Sequence, residues 1–316
     1  MHLIKKLIAS IILLWAPLAA DDLKSVSLQL QWKYQFQFAG YIVAKEKGFY
    51  KNAGLDVTIK EWDHDINMVD EVIEGESEYA VSRPTSLIDI SEGKEIVYLA
   101  IIFQSSPLIF LTDQSTGITS VNDFKNKRVV TTGDLNSDTS LLSMMHSQGV
   151  KLEDIVVQKP SFQVKDLLDS KTDLIAAYIS NEPYVLKELG GNPVIFKPKD
   201  YGFDFYNDIV ITAKNYLANN PQEVKNFKDA TLKGWEYAFA NIDETVEIIY
   251  NKYNTQKKSK EALVYEAKEL KKLAYYKTGK VGKIDRNKLE KIYDVYKLLG
   301  LLKNHIDCNE VIYNDT

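Results

Sequence analysis

Four aromatic rings and two amides fall within the seven residues Trp32-Lys33-Tyr34-Gln35-Phe36-Gln37-Phe38, and Tyr41 follows three positions on. Rings offer flat apolar faces and glutamines offer paired donors and acceptors. Together they suit a flat small molecule with a polar edge. The same rings suit a hydrophobic core, so Trp32, Phe36 and Phe38 have two readings at this point. A second group is Ser82-Arg83-Pro84-Thr85-Ser86, where hydroxyls and backbone N–H groups gather at an expected helix start. Arg83 is placed to clamp an anionic group or, equally, to pair with Glu76 or Glu78. A third group comprises Asp134, Asn136, Ser137, Asn181, Glu182, Asp204, Tyr206 and Asp208. It is rich in acceptors and would suit a ligand bearing amino or ring N–H donors. Helix caps and a turn explain the same residues.

Catalytic signatures are missing by comparison. The chain has no Gly-x-Ser-x-Gly elbow, phosphate loop or dinucleotide fingerprint. Its histidines, His2, His64, His146 and His305, are not paired at the helical spacing of metal ligands, and Cys308 is the lone cysteine. No internal disulfide can form. We expect no metal, no cofactor and no enzymatic activity.

The elements that must hold these groups alternate between strand and helix. Ser25–Gln31 places Val26, Leu28 and Leu30 on one face, as a half-buried strand requires. Ala39-Gly40-Tyr41 opens a helix that Gly48 stops, and Leu55–Ile59 alternates again. In such a strand–helix–strand unit the aromatic turn lies at the carboxyl edge of the sheet, where open α/β folds bind ligands. Ser77–Ser82 and Glu95–Phe103 read as strands, with Leu108–Thr112 resuming after Pro107. The segment from 113 to about 199 carries its own βα series, and beyond Thr212 the chain is helical. We therefore expect a leader over residues 1–20, a first lobe over 21–112, a second over 113–208, and a return to the first lobe with C-terminal helices over 209–316. The crossings are expected at Asp113–Thr119 and at Tyr201–Asp208.

Composition narrows the partners. Hydrophobic residues make up 45% of the chain and charged residues 26%, which are globular values. Lys5 and Lys6, the apolar run Leu7–Trp15 and the small residues to Ala20 form a secretory-type leader, with cleavage expected at Ala19 or Ala20. The apolar run is too short to span a membrane comfortably. Without the leader, 37 basic groups face 44 acidic ones. That balance argues against nucleic acid or an anionic membrane as the main partner. The lysine pairs Lys257-Lys258 and Lys271-Lys272 read as solvated helix faces, and a monomer exported to the periplasm is expected.

Four stretches carry a resemblance: LQLQWKYQFQFAGYIVAKEKGFYKNAGLDVTI, SRPTSLIDISEGKEIVYLAIIFQSSP, AAYISNEPYVLKELG and YGFDFYNDIVIT. In that order they resemble the NMT1/THI5-like (SsuA/THI5-like) periplasmic binding proteins over nearly the whole chain past the leader. The resemblance implies a type II periplasmic-binding-protein fold, with two α/β lobes around a two-segment hinge. It implies a soluble receptor that passes a small heterocycle to an ABC permease, with a thiamine pyrimidine precursor, hydroxymethylpyrimidine or formylaminopyrimidine, as the expected ligand. The alternative it carries is a sensing module read by a membrane kinase or cyclase. The family also includes an iron-dependent thiamine-pyrimidine synthase that consumes pyridoxal phosphate. This chain departs from that enzyme: its cysteine cluster is absent, and its sacrificial histidine falls near Thr85 or Ser86.

Overall fold

The computed structural model describes residues 23–63, 66–132, 135–159, 161 and 163–314. The expected leader and Asp134 lie outside the described residues. Among the described residues ten strands form two sheets of five. They are β1 (Lys24–Gln29), β2 (Leu55–Lys60), β3 (Tyr79–Ser82), β4 (Ile96–Phe103), β5 (Leu108–Asp113), β6 (Arg128–Val130), β7 (Val156–Gln158), β8 (Leu174–Tyr178), β9 (Pro193–Phe196) and β10 (Asn207–Ala213). The first sheet runs β2-β1-β3-β10-β4 and the second β7-β6-β8-β5-β9.

Both sheets follow one plan. Three parallel strands, β2-β1-β3 or β7-β6-β8, are joined by an antiparallel fourth. That fourth strand, β10 or β5, is the one the chain enters on arriving from the other lobe. The strand pattern explains the burial. β2 alternates buried and exposed residues, whereas β4, Ile-Val-Tyr-Leu-Ala-Ile-Ile-Phe, is buried on both faces although it ends its sheet. Bridges from Tyr98 to Ile312 and from Ile101 to Gly282 cover that edge, so its backbone groups are not left open to another chain.

One finding corrects the expected lobe boundaries. Leu108–Thr112 was expected in the first lobe, with a crossing over Asp113–Thr119 after it. It pairs with β8 and β9 in the second sheet. The first crossing is therefore Gln104–Pro107, where Pro107 and two serines interrupt an otherwise continuous apolar run. The return strand likewise begins at Asn207, which moves Asn207 and Asp208 into the first lobe.

The C-terminal helices clothe the first lobe. Pro221–Ala240, Ile242–Lys252 and Lys260–Ala274 pack with Ala39–Glu46 over one face of its sheet, and Arg286–Leu298 lies on the other. The crossing of Ala39–Glu46 with Pro221–Ala240 depends on two glycines. A Cβ on Gly234 would lie 2.1 Å from the Gly40 carbonyl oxygen, and one on Gly40 would lie 2.1 Å from the Trp235 ring. Any side chain there would part the helices.

Candidate functional site

The register of the first sheet assembles the site. Ser82 of β3 faces Ile209 of β10, so the next residues outward, Arg83 and Asp208, are neighbours at the carboxyl edge. Gln31, just past β1, reaches the same edge. In the second lobe Tyr178 ends β8 opposite Leu108, and Asn181 and Glu182 follow it. The two edges meet where the Asn207 amide donates to the Tyr178 hydroxyl at 3.0 Å.

Asp208 anchors the cluster. It is fully buried and holds φ +50°, a left-handed conformation that aspartate tolerates better than most residues. Gln31 Nε2 donates to its Oδ1 at 2.7 Å and Gln37 Nε2 at 3.0 Å. Burial pushes its carboxyl pKa up to about 8 and the nearby Glu266 charge adds to this, while the Gln37 and Gln31 hydrogen bonds and the Arg83 charge oppose it. Amides continue the network outward: Gln35 Nε2 donates to Gln37 Oε1 at 2.8 Å, and Gln256 Nε2 donates to Gln35 Oε1 at 3.2 Å.

A second chain of contacts joins the lobes. The backbone N–H of Gln37 donates to Glu266 Oε1 at 2.9 Å. Lys258 Nζ lies 3.2 Å from Glu266 Oε2 and donates to Asn181 Oδ1 at 2.7 Å. Burial raises the Glu266 carboxyl pKa, and the Lys258 charge opposes that rise. Lys258 thus contradicts the expectation of a solvated helix face. It precedes the helix Lys260–Ala274, and its side chain is 12% exposed.

The expected site residues do not all come together. Gln35, Gln37, Ser82, Arg83, Pro84 and Asp208 gather on the first edge, and Asn181 and Glu182 are linked to them through Lys258. Phe36, Phe38 and Tyr41 do not line a cleft: all three are fully buried in the first lobe's core. Tyr41 lies edge-on to Trp235 with ring centroids 5.6 Å apart. Asp204 and Tyr206 belong to the hinge. Ser105 Oγ donates to Asp204 Oδ1 at 2.5 Å and Lys288 Nζ to its Oδ2 at 2.7 Å, while the Tyr206 hydroxyl accepts from the Asp285 N–H at 2.9 Å. Asn136 is exposed and its carbonyl accepts from Thr139.

The expected acceptor-rich jaw is also corrected. Glu182 accepts from the Tyr178 N–H at 2.7 Å and from the Asn181 amide at 2.5 Å. Asp204 is held by Ser105 and Lys288, and Asp208 by two glutamines. These carboxylates serve the protein's own donors.

Sequence reasoning missed Gln31, Trp62, Tyr178, Asn207, Lys258 and Glu266. Glu266 had a signal: it interrupts the buried stripe Leu263, Ala267, Leu270 of its helix. Trp62, just past β2, stacks on Trp32 with centroids 5.0 Å apart and planes 20° from parallel. The half-buried indole pair lies at the carboxyl edge. Among the described residues no group of His, Cys, Asp and Glu could hold a metal ion.

The chain is similar to known proteins. The riboflavin-binding protein RibY of Chloroflexus aurantiacus is 26% identical over 74% of this chain and 68% of its own length. The formylaminopyrimidine-binding protein of Halalkalibacterium halodurans is 26% identical over 73% of this chain and 72% of its own. The periplasmic aliphatic sulphonate binding protein SsuA of Escherichia coli superposes with a TM-score of 0.72 over 93% of each chain, at 14% identity. The fold is the type II periplasmic-binding-protein fold. The family model described as NMT1/THI5 like matches residues 35–245, and the chain belongs to that family.

Proposed function

We propose that this protein is a periplasmic solute receptor of an ABC importer, closing its two lobes on a small heterocycle and releasing it unchanged to a permease. The observation that carries this reading is the convergence of an indole pair, a file of glutamines and Arg83 at the edge where the lobes meet. Stacking on Trp32 and Trp62 would supply a flat apolar face, and polar groups at the junction would read the ring edge. A ligand touching both lobes stabilises the closed form by its differential affinity for it. A thiamine pyrimidine precursor is the favoured ligand, in keeping with the formylaminopyrimidine-binding relative. A flavin is the second reading: the RibY relative supports it, and the paired indoles suit a wider ring.

Titration calorimetry with hydroxymethylpyrimidine, formylaminopyrimidine and riboflavin tests both readings. Micromolar or tighter binding of one, with that ligand recovered unchanged by mass spectrometry, is the expected result. No heat with any of the three would sink the heterocycle reading. Trp32→Ala should weaken binding roughly tenfold, in line with about 0.5–1.5 kcal/mol for an aromatic pair.

A further inference from the structure

The three arginines of the chain are not used alike. Arg128 grips Asp173 through Nε at 3.0 Å and Nη2 at 2.8 Å, and Arg286 pairs with Glu290 at 2.7 Å. Arg83 has no carboxylate partner among the described residues. Glu78, one of its expected partners, instead accepts from the N–H and hydroxyl of Ser27. Among the described residues, the one hydrogen bond of the Arg83 side chain runs from Nε to Gln31 Oε1, at 2.5 Å.

That bond sets the orientation. Gln31 accepts from Arg83 with its carbonyl and donates to Asp208 with its amide, so the guanidinium is fixed by its inner nitrogen. The terminal Nη1 and Nη2 carry four N–H donors, and none has a partner among the described residues. A guanidinium so held presents a planar fork matched to two oxygens of one anion. The fork belongs to the lobe junction, because Arg83 lies opposite Asp208 one step beyond the β3–β10 register and the adjoining Asn207 donates to the Tyr178 hydroxyl of the opposite lobe. None of the nearby acid groups pairs with it among the described residues: Asp208 accepts from Gln31 and Gln37, Glu266 pairs with Lys258, and Glu182 accepts from the Tyr178 N–H and the Asn181 amide.

We infer that the ligand of this cleft carries a carboxylate or phosphate group, which the terminal nitrogens of Arg83 receive while the ring lies toward the Trp32–Trp62 face. This rests on the receptor reading above and reverses the expectation of a ligand recognised mainly through its donors. The acceptors are occupied within the protein, and a half-buried cation is what the cleft has to offer.

The test compares neutral rings with their acidic counterparts on the intact protein: hydroxymethylpyrimidine with its monophosphate, riboflavin with its 5′-phosphate, and uracil with orotate. In calorimetry at pH 7 at least one acidic member should bind ten-fold or more tighter than its parent. Arg83→Gln should erase that ratio, and Arg83→Lys should keep part of it. Far-UV circular dichroism and a melting curve check that each variant folds. If parents bind as well as their acids, or if Arg83→Gln leaves the ratio intact, the anion subsite is wrong and the receptor reading stands. If no ring binds in either form, both fall together. The phosphate and orotate pairs separate the two anion types.

Discussion

The two lobes share a sheet plan and differ in what surrounds it. In each, three parallel strands accept an antiparallel strand arriving from the other lobe. The first lobe is covered by four long helices, and its last strand is capped by C-terminal segments. The second lobe ends in β7, where Val156 and Val157 are 53% and 44% exposed. The site residues divide the same way. Asp208, Gln31, Gln37 and Glu266 on the first lobe are all buried, whereas Asn181 and Glu182 on the second are half-buried. The difference describes a heavy platform that holds the buried polar network and a lighter jaw across the junction from it. The platform's polar groups are already held by one another, so a ligand bound there as proposed would cost little side-chain ordering.

The sharpest way to break this contrast is to unbalance the platform's buried charge. Lys258→Met leaves Glu266 ionisable and without its cation in a site of no solvent exposure. Breaking a buried pair from one side costs about 3–5 kcal/mol. Urea denaturation should show a loss of that order, and Lys258→Met with Glu266→Gln should recover most of it. A loss under about 1 kcal/mol for the single variant would mean that the pair is solvated and the platform less sealed than described. Next comes the helix crossing beneath the site. Gly234→Ala drives a methyl against the Gly40 carbonyl, and overpacking of this kind costs about 1–3 kcal/mol. A melting temperature unchanged from the parent protein would contradict that close approach.

The platform's buried carboxyl also has a pH signature. Asp208 is held near pKa 8 in the folded chain, well above its value of about 4 when unfolded. Between those two values the folded state keeps a proton that the unfolded state has lost. Stability therefore falls as pH rises through this window, by up to ~1.4 kcal/mol per pH unit for this group. Glu266 is raised as well and acts in the same direction. Asp208→Asn keeps the left-handed backbone accessible and removes one titrating group, so its stability should depend less steeply on pH from 5 to 8. Parallel pH profiles for the two proteins would show that Asp208 is ionised throughout.

Much of the framework was legible in local pattern. Alternation marks β1 and β2, and glycine stops and apolar runs place most strands within a few residues. The first crossing was misplaced because Pro107 breaks an apolar run without a change in composition, and only strand pairing assigns Leu108–Asp113 to the second sheet. Phe36, Phe38 and Tyr41 were drawn into the site because a ring that stacks on a ligand and a ring that fills a core have the same local sequence. The acidic residues failed for another reason. Whether Asp208 faces a ligand or a glutamine depends on Gln31, 177 positions away, and no local pattern reports that pairing. Arg83 was identifiable as a clamp for an anion, but its lack of a carboxylate partner among the described residues is a tertiary fact.

The smallest effect is expected on the lighter jaw, and it completes the contrast. Arg128 and Asp173 form a two-pronged pair of good geometry, yet their side chains are 38% and 22% exposed. Asp173 has a lowered carboxyl pKa because Arg128 binds it, with burial opposing. Exposed pairs contribute about 0.2–1 kcal/mol, because water already solvates both partners and salt screens them. Arg128→Gln should therefore cost no more than about 1 kcal/mol, and less in 1 M salt. It should leave ligand affinity unchanged, since Arg128 precedes the strand end that faces the cleft. The Lys258 and Arg128 variants each remove one cation from one carboxylate, so their ratio measures the burial difference between the lobes directly. Equal losses would mean that the two lobes are equally open to water, and the distinction between platform and jaw would have to be abandoned.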